Sequence, residues 1–284
     1  MLLYRLNPKF RHQMRIVSQT RSGKREMVVR VVPLTACVAA MLFWLGNATP
    51  AFAQTDEIQV YDAEIAQTGA FNLTVHNNPT PSGRTTADFP GGIVPDHSLN
   101  GAAEWAYGIA PWFEGGLYLP LYSITRNGSV LYNGFKLRTL FVTPDAAQRE
   151  FFYGVNLEFS FNTAHWDERR YTSEIRGIVG AHIGRFDFIF NPIVDNSWNG
   201  FSKLEVVPET RVAIALSEKY KVALEEYDDF GSVSRFLPAA KQSHQLFAVG
   251  DINSKIVNIE AGLGMGLTSG SDHWVLKLIL SRDF

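Results

Sequence analysis

The sequence predicts an all-β protein, a transmembrane up-and-down antiparallel β-barrel of about twelve strands, within a range of about ten to fourteen. Three observations predict it: apolar and polar residues alternate over unusually long stretches, the connections between those stretches are alternately short and long, and an export signal precedes them. In FFYGVNLEFSFN, residues 151–162, one face carries Phe151, Tyr153, Val155, Leu157, Phe159 and Phe161 and the other Gly154, Asn156, Glu158, Ser160 and Asn162. The same period returns in Leu204, Val206, Val212, Ile214 and Leu216 against Lys203, Glu205, Glu209 and Arg211, and again in Val257–Leu267 and Trp274–Leu280. Strands in soluble proteins average about five or six residues, whereas a tilted strand needs about nine to eleven to cross a bilayer. In hydrocarbon a sheet satisfies its backbone only by closing on itself. The greasy face therefore points to lipid and the polar face into a lumen.

Before these stretches lies a leader. A basic stretch ending at Arg30 is followed by the apolar run VVPLTACVAAMLFWLG and by Ala51-Phe52-Ala53, a small-x-small cleavage pattern, which predicts a signal peptide cut after Ala53. Residues 1–53 are thus assigned to the leader, and a start at Met27 gives an export signal of ordinary length. Cys37 sits in a lipoprotein-like box, but the apolar run follows it instead of preceding it, so signal cleavage is favoured over lipidation. With Cys37 removed, no cysteine remains for a disulfide or a thiolate metal site. The leader holds eight of the 26 Lys and Arg but one of the 28 Asp and Glu, leaving 18 against 27, a net charge of −9. Phosphate binding needs a basic footprint, so nucleic acid is not an expected partner.

Counted backwards from Phe284, short turns are expected at Asn253-Ser254-Lys255, Ser217-Glu218-Lys219, Gly184-Arg185, Thr143–Glu150 and Ala110-Pro111. Longer loops are expected at Ser269–Asp272, Asp228–Ser243, Asp195–Ser202, Thr163–Arg170, Thr125–Ser129 and the Pro- and Gly-rich Asn78–Asn100. Bacterial barrels keep both termini and the short turns in the periplasm. The first strand falls near Ala70–Asn77, which assigns residues 70–284 to the barrel. Residues 54–69, including EIQVYDAEI, form a periplasmic or luminal segment, because a thirteenth strand breaks the even number.

Tyr and Trp prefer the headgroup region, and Trp105, Tyr107, Trp112, Tyr118, Tyr122, Tyr171 and Trp274 are placed there. At the C-terminus Trp274, Leu276, Leu278, Leu280 and Phe284 resemble the signature that outer-membrane barrels present to their assembly machinery, with Arg282 departing from it. EWAYGI at Glu104–Ile109, PWFEGGLYLPLY at Pro111–Tyr122, FNPIVD at Phe190–Asp195, SHQLFAV and LKLILSRDF resemble a group of proteobacterial outer-membrane barrels linked by name to transporters of the phenol meta-cleavage pathway. That resemblance covers most of the chain after the leader and carries no catalytic motif. It implies a barrel in the outer membrane of a Gram-negative bacterium and the passage of small, organic or aromatic, solutes.

Chemistry is expected in the lumen. The alternation points Glu104, Glu114, Glu158, Glu174, Glu205, Glu209, Glu225 and Glu260 inward, with Lys136, Arg138, Arg176, Arg211, Lys221, Lys277 and His182. Eight acids against six bases suggest paired networks that brace the interior or line a narrow path. Three functions follow: a narrow channel or transporter, a structural or adhesive envelope barrel with a plugged lumen, and, least favoured, a lipid hydrolase or acyltransferase. Ser243 and His244 are adjacent and point to opposite faces, so no catalytic residue is assigned. The histidines lack paired ligand spacing, so no metal and no cofactor is expected. The glycines at 262, 264 and 266 share one face and open no helix, which makes them space-makers inside the barrel and not a phosphate loop. The expected partners are outer-membrane lipids, lipopolysaccharide, the barrel-assembly machinery and a small solute of unassigned identity.

Overall fold

A computed structural model describes residues 57–284. The leader, its cleavage site after Ala53, Cys37 and the start at Met27 lie outside the described residues. The strands are β1 (Phe71–Thr80), β2 (Ser98–Ala110), β3 (Phe113–Ile124), β4 (Val130–Val142), β5 (Phe151–Asn162), β6 (Tyr171–Ile183), β7 (Phe186–Asn191), β8 (Ile193–Asn196), β9 (Glu205–Val206), β10 (Glu209–Ala215), β11 (Tyr220–Asp229), β12 (Ser243–Ile252), β13 (Asn258–Gly266) and β14 (Trp274–Asp283). Neighbours pair antiparallel, and β1 pairs with both β2 and β14, so the sheet closes into a barrel. No described helix is long and apolar enough to cross a membrane. The crossing is made by strands.

The ring has twelve staves, as expected, because two of them are each split into two pieces. Both β7 and β8 pair with β6, and both β10 and β9 pair with the β7–β8 stave. Prolines make the breaks. The register is unchanged on either side of each gap, which sets Pro192 opposite Pro208. Neither has an N–H to give to the ladder, so the hydrogen-bonded pattern lapses there without shifting any side chain to the other face. The sequence reading took residues 203–216 as one uninterrupted strand, and Pro208 corrects it.

The first long loop is shorter than Asn78–Asn100. Asn78, Pro79 and Thr80 pair with Asn100, Leu99 and Ser98. Pro79 is tolerated because the Thr80 carbonyl is turned to the β2 side, accepting from the His97 N–H at 2.8 Å. Pro79 therefore faces the β14 side, where pairing has already ended at Asn77.

Lipid and lumen faces follow the period of two. In β5, Asn156, Glu158, Ser160 and Asn162 are buried while Leu157 and Phe159 are exposed on the outside. In β14, Val275, Lys277 and Ile279 are buried while Trp274, Leu276 and Leu278 are exposed. Aromatic rings cluster on the outer face toward the short-turn end, with Phe71 against Tyr107 at 4.6 Å and Phe113 against Phe141 at 4.7 Å. Tyr118 is the exception among the expected belt residues. It shares the inward face of β3 with Glu114 and is fully buried. Inside, bulky rings need small opposite numbers. A Cβ on Gly264 falls 2.3 Å from the Phe247 ring and one on Gly180 falls 2.0 Å from the Phe152 ring, so these glycines make room.

Candidate functional site

The site is the lumen, and the chain's own N-terminal segment sits in it. Ile58, Val60, Tyr61, Ala63 and Ala66 are all buried although they belong to no strand. Ile58 packs with Ala213, Ala223, Phe247, Val249 and Val275, whereas Val60, Tyr61 and Ala63 pack with Leu140, Val142, Phe152, Ile178 and Ile189. The segment thus touches opposite walls of the ring. Gly108 marks its entry: the Gly69 N–H donates to the Gly108 carbonyl at 2.8 Å, and a Cβ on Gly108 falls 2.3 Å from the Gln67 oxygen.

Polar groups fix the plug in place. Asn191 accepts from the Tyr61 N–H at 2.7 Å and donates to the Tyr61 carbonyl at 3.0 Å, as a paired strand would. The Tyr61 hydroxyl lies 2.6 Å from that of Tyr118, and its ring lies between the guanidiniums of Arg138 and Arg176, at 5.7 and 4.5 Å. Arg176 also donates to the Gln59 carbonyl at 2.7 Å, and the Ala66 N–H donates to Glu114 at 2.6 Å. Glu57, in the plug and not in a spanning strand, is pushed up to about 7 by burial first and by the Glu158 carboxylate second.

The fifteen charged or titratable residues expected to point inward share the inner face of their strands, and ion pairs sort fourteen of them into three groups. On the β2–β6 wall, Arg138 bridges Glu104 at 2.6 Å and Glu114 at 2.5 Å, Lys136 reaches Glu158 at 3.4 Å, and Arg176 joins Glu174 to Glu209 of β10, both at 2.8 Å. Across the ring, Lys277 bridges Glu225 at 2.6 Å and also holds Glu260, while Arg211 holds Glu225 and Asp251 and lies 3.6 Å from Glu260. Nearer the short-turn end, Asp187 joins His182 at 2.7 Å to Lys221 at 2.9 Å. Glu205 has no ion pair among the described residues. Such networks satisfy charges that burial leaves costly.

Sequence reasoning missed Glu57, Tyr61, Tyr118, Asp187, Asp195, Tyr227 and Asp251. The strand acids among them carried the same alternation signal, and Tyr227 donates to Glu225 at 2.6 Å from the same inner face. Tyr61 carried no signal, because a segment held on two sides by a closed wall has no single apolar face.

The histidines are held by local partners. His244 bonds Asp228 through Nδ1 at 2.5 Å and Gln242 through Nε2 at 3.0 Å, and Ser243 instead meets the Ser271 hydroxyl at 3.4 Å. Glu226, Asp228 and His244 bring one ligand atom each within 4.8 Å of one another at the long-loop end of β11 and β12. Their positions alternate with the inward residues, so they stand on the outer face. An apolar groove of about 600 Å³ also opens on that face, lined by Phe186, Val212, Leu224 and Ala248, away from the charged lumen. The long loop after β1 is tied down by charge: Asp96, held below the usual carboxylate range by the Gly83 N–H, meets Arg126 at 3.1 Å, and Arg84 reaches Asp272 at 3.2 Å.

No family model matches the chain, and no curated protein matches its sequence. Solved structures do match its shape. An outer membrane channel from Pseudomonas putida F1 superposes with a TM-score of 0.54 at 12% identity, over 80% of this chain and 100% of that one. A bacterial polysaccharide outer membrane secretin gives a TM-score of 0.41 at 9% identity, over 77% and 100%, and the translocator domain of the autotransporter NalP from Neisseria meningitidis gives 0.41 at 13%, over 88% and 98%. At these identities the likeness to the Pseudomonas channel is one of fold: this chain is built as that barrel is.

Proposed function

We propose that the protein is an outer-membrane channel or transporter for small solutes, with the short turns in the periplasm and a path through the lumen controlled by the N-terminal segment. The observation that carries this reading is a closed twelve-stave ring whose interior carries charge networks and whose plug is held, among the described residues, by apolar packing, hydrogen bonds and ring contacts and not by a covalent bridge. A solid apolar core would serve a purely structural barrel better, since buried ion pairs add little stability over packed hydrocarbon. The solute class implied by the sequence resemblance, small organic or aromatic molecules, belongs to this proposal. The likeness to a channel from Pseudomonas putida supports the fold it needs.

Planar-bilayer recording tests it. The refolded protein should show small, infrequent openings, and a chain lacking residues 57–66 should conduct steadily. A deleted chain that folds, as judged by its heat-dependent mobility on a gel, and yet passes no ions would overturn the proposal. A second reading, a lipid-modifying enzyme, has a direct check at His182 and His244: hydrolysis or acyl transfer by the purified protein that disappears on His182→Ala or His244→Ala would favour it.

A further inference from the structure

Register places four carboxylates side by side on the lumen wall. Glu158 stands opposite Glu174, Glu174 opposite Asp195, and Asp195 opposite Glu205, on β5, β6, β8 and β9 in succession. Cross-strand neighbours of this kind have Cβ atoms about 5 Å apart, and like charges set directly opposite destabilise a sheet. Two cations serve this stretch. Lys136 reaches Glu158, and Arg176 is divided between Glu174 and Glu209. Asp195 and Glu205 have no ion pair or side-chain hydrogen bond among the described residues.

A second, independent feature points the same way. Glu57 of the plug is 5% exposed, its Oε1 is sealed from solvent with no hydrogen-bond partner, and the negative charge acting on it most strongly is that of Glu158. The plug therefore presents a buried carboxyl beside Glu158, and although Arg176, His76 and Lys136 also face it, its Oε1 is left without a hydrogen bond. The cost falls on Asp195, Glu205 and Glu57, which lack the partners that Lys136 and Arg176 give Glu158 and Glu174, and a mobile positive charge among them relieves it.

We infer that Glu57 and the row Glu158, Glu174, Asp195 and Glu205 form a binding site for small monovalent cations, protonated amines included. On the channel reading above, on which the transport part of this inference rests, the site makes the path cation-selective. A row of oxygens on one wall suits a weakly held, partly hydrated cation that enters and leaves.

Two measurements on the refolded chain separate the inference from the channel reading. In a KCl gradient across a planar bilayer, the chain lacking the plug keeps the four wall carboxylates but not Glu57, and its reversal potential should show a K⁺ preference that Asp195→Asn with Glu205→Gln lowers by about threefold. Glu218→Gln, in an exposed turn, should leave it unchanged. Conductance with equal K⁺ and Cl⁻ permeability, or a ratio the double variant does not alter, overturns the inference while the channel stands. Binding of the K⁺ mimic Tl⁺ to the intact protein in detergent, followed by its NMR line, needs no conductance. The double variant should bind it about tenfold more weakly, a loss of about 1.4 kcal/mol. Equal binding by both proteins overturns the inference even where no current is seen. Heat-dependent gel mobility confirms that each variant has folded.

Discussion

Lys277 shows what a single lumen residue contributes. Its ammonium is buried, bonded to Glu225 at 2.6 Å and to the Tyr227 hydroxyl at 3.0 Å, and it also holds Glu260. Lys277→Met keeps the volume and leaves Glu225 with Arg211 as its one remaining ion-pair partner among the described residues, so unfolding by urea from lipid vesicles should show a loss of about 3 kcal/mol. A smaller change, under about 1 kcal/mol, would mean that water already shares the site. Gly108 offers the opposite experiment. A side chain there collides first with the Ala66 and Gln67 carbonyls of the plug, so Gly108→Val should displace the plug and raise conductance while the ring still assembles. Unaltered currents in a folded Gly108→Val protein would show that the plug has another way in.

At the scale of the strand, alternation was the legible signal and its interruptions were not. Phe151–Asn162 read correctly because lipid on one side and charge on the other select opposite chemistries at every step. Pro192 and Pro208 were visible as letters, but a missing donor that leaves the register intact changes no face, so the pattern ran on through both. Tyr118 was assigned to the headgroup belt by residue type, and only its shared face with Glu114 places it inside. The partners of each charge were out of reach, since which carboxylate meets Arg211 depends on the stagger of four strands. The outward face makes its own demand. Leu278, midway along β14, looks into hydrocarbon, and Leu278→Arg should cost about 2–4 kcal/mol in the same urea assay. An arginine tolerated there would place lipid somewhere other than around this strand.

For the whole molecule, the plug links the titration of one carboxyl to the state of the path. Glu57 faces Glu158, Arg176, His76 and Lys136, and its proton is held up to about 7 when docked, against 4.5 for an ordinary glutamate. The docked state binds more protons than the released one between these values. Docking is therefore strongest below about pH 4.5, weakens as pH rises toward about 7 and levels off above, a change of at most about 3 kcal/mol. Open probability in planar bilayers should climb across that window, and Glu57→Gln should flatten the climb. A wild-type response independent of pH would remove Glu57 from the control of the plug. The closure of the ring carries a consequence of a different kind. The first stave is zipped to the last, from Asn72 against Asp283 to Asn77 against Leu278. Nothing cylindrical can exist until the ribosome has delivered the final residues. Any sheet formed before that moment leaves two bare edges, each a template for the wrong partner.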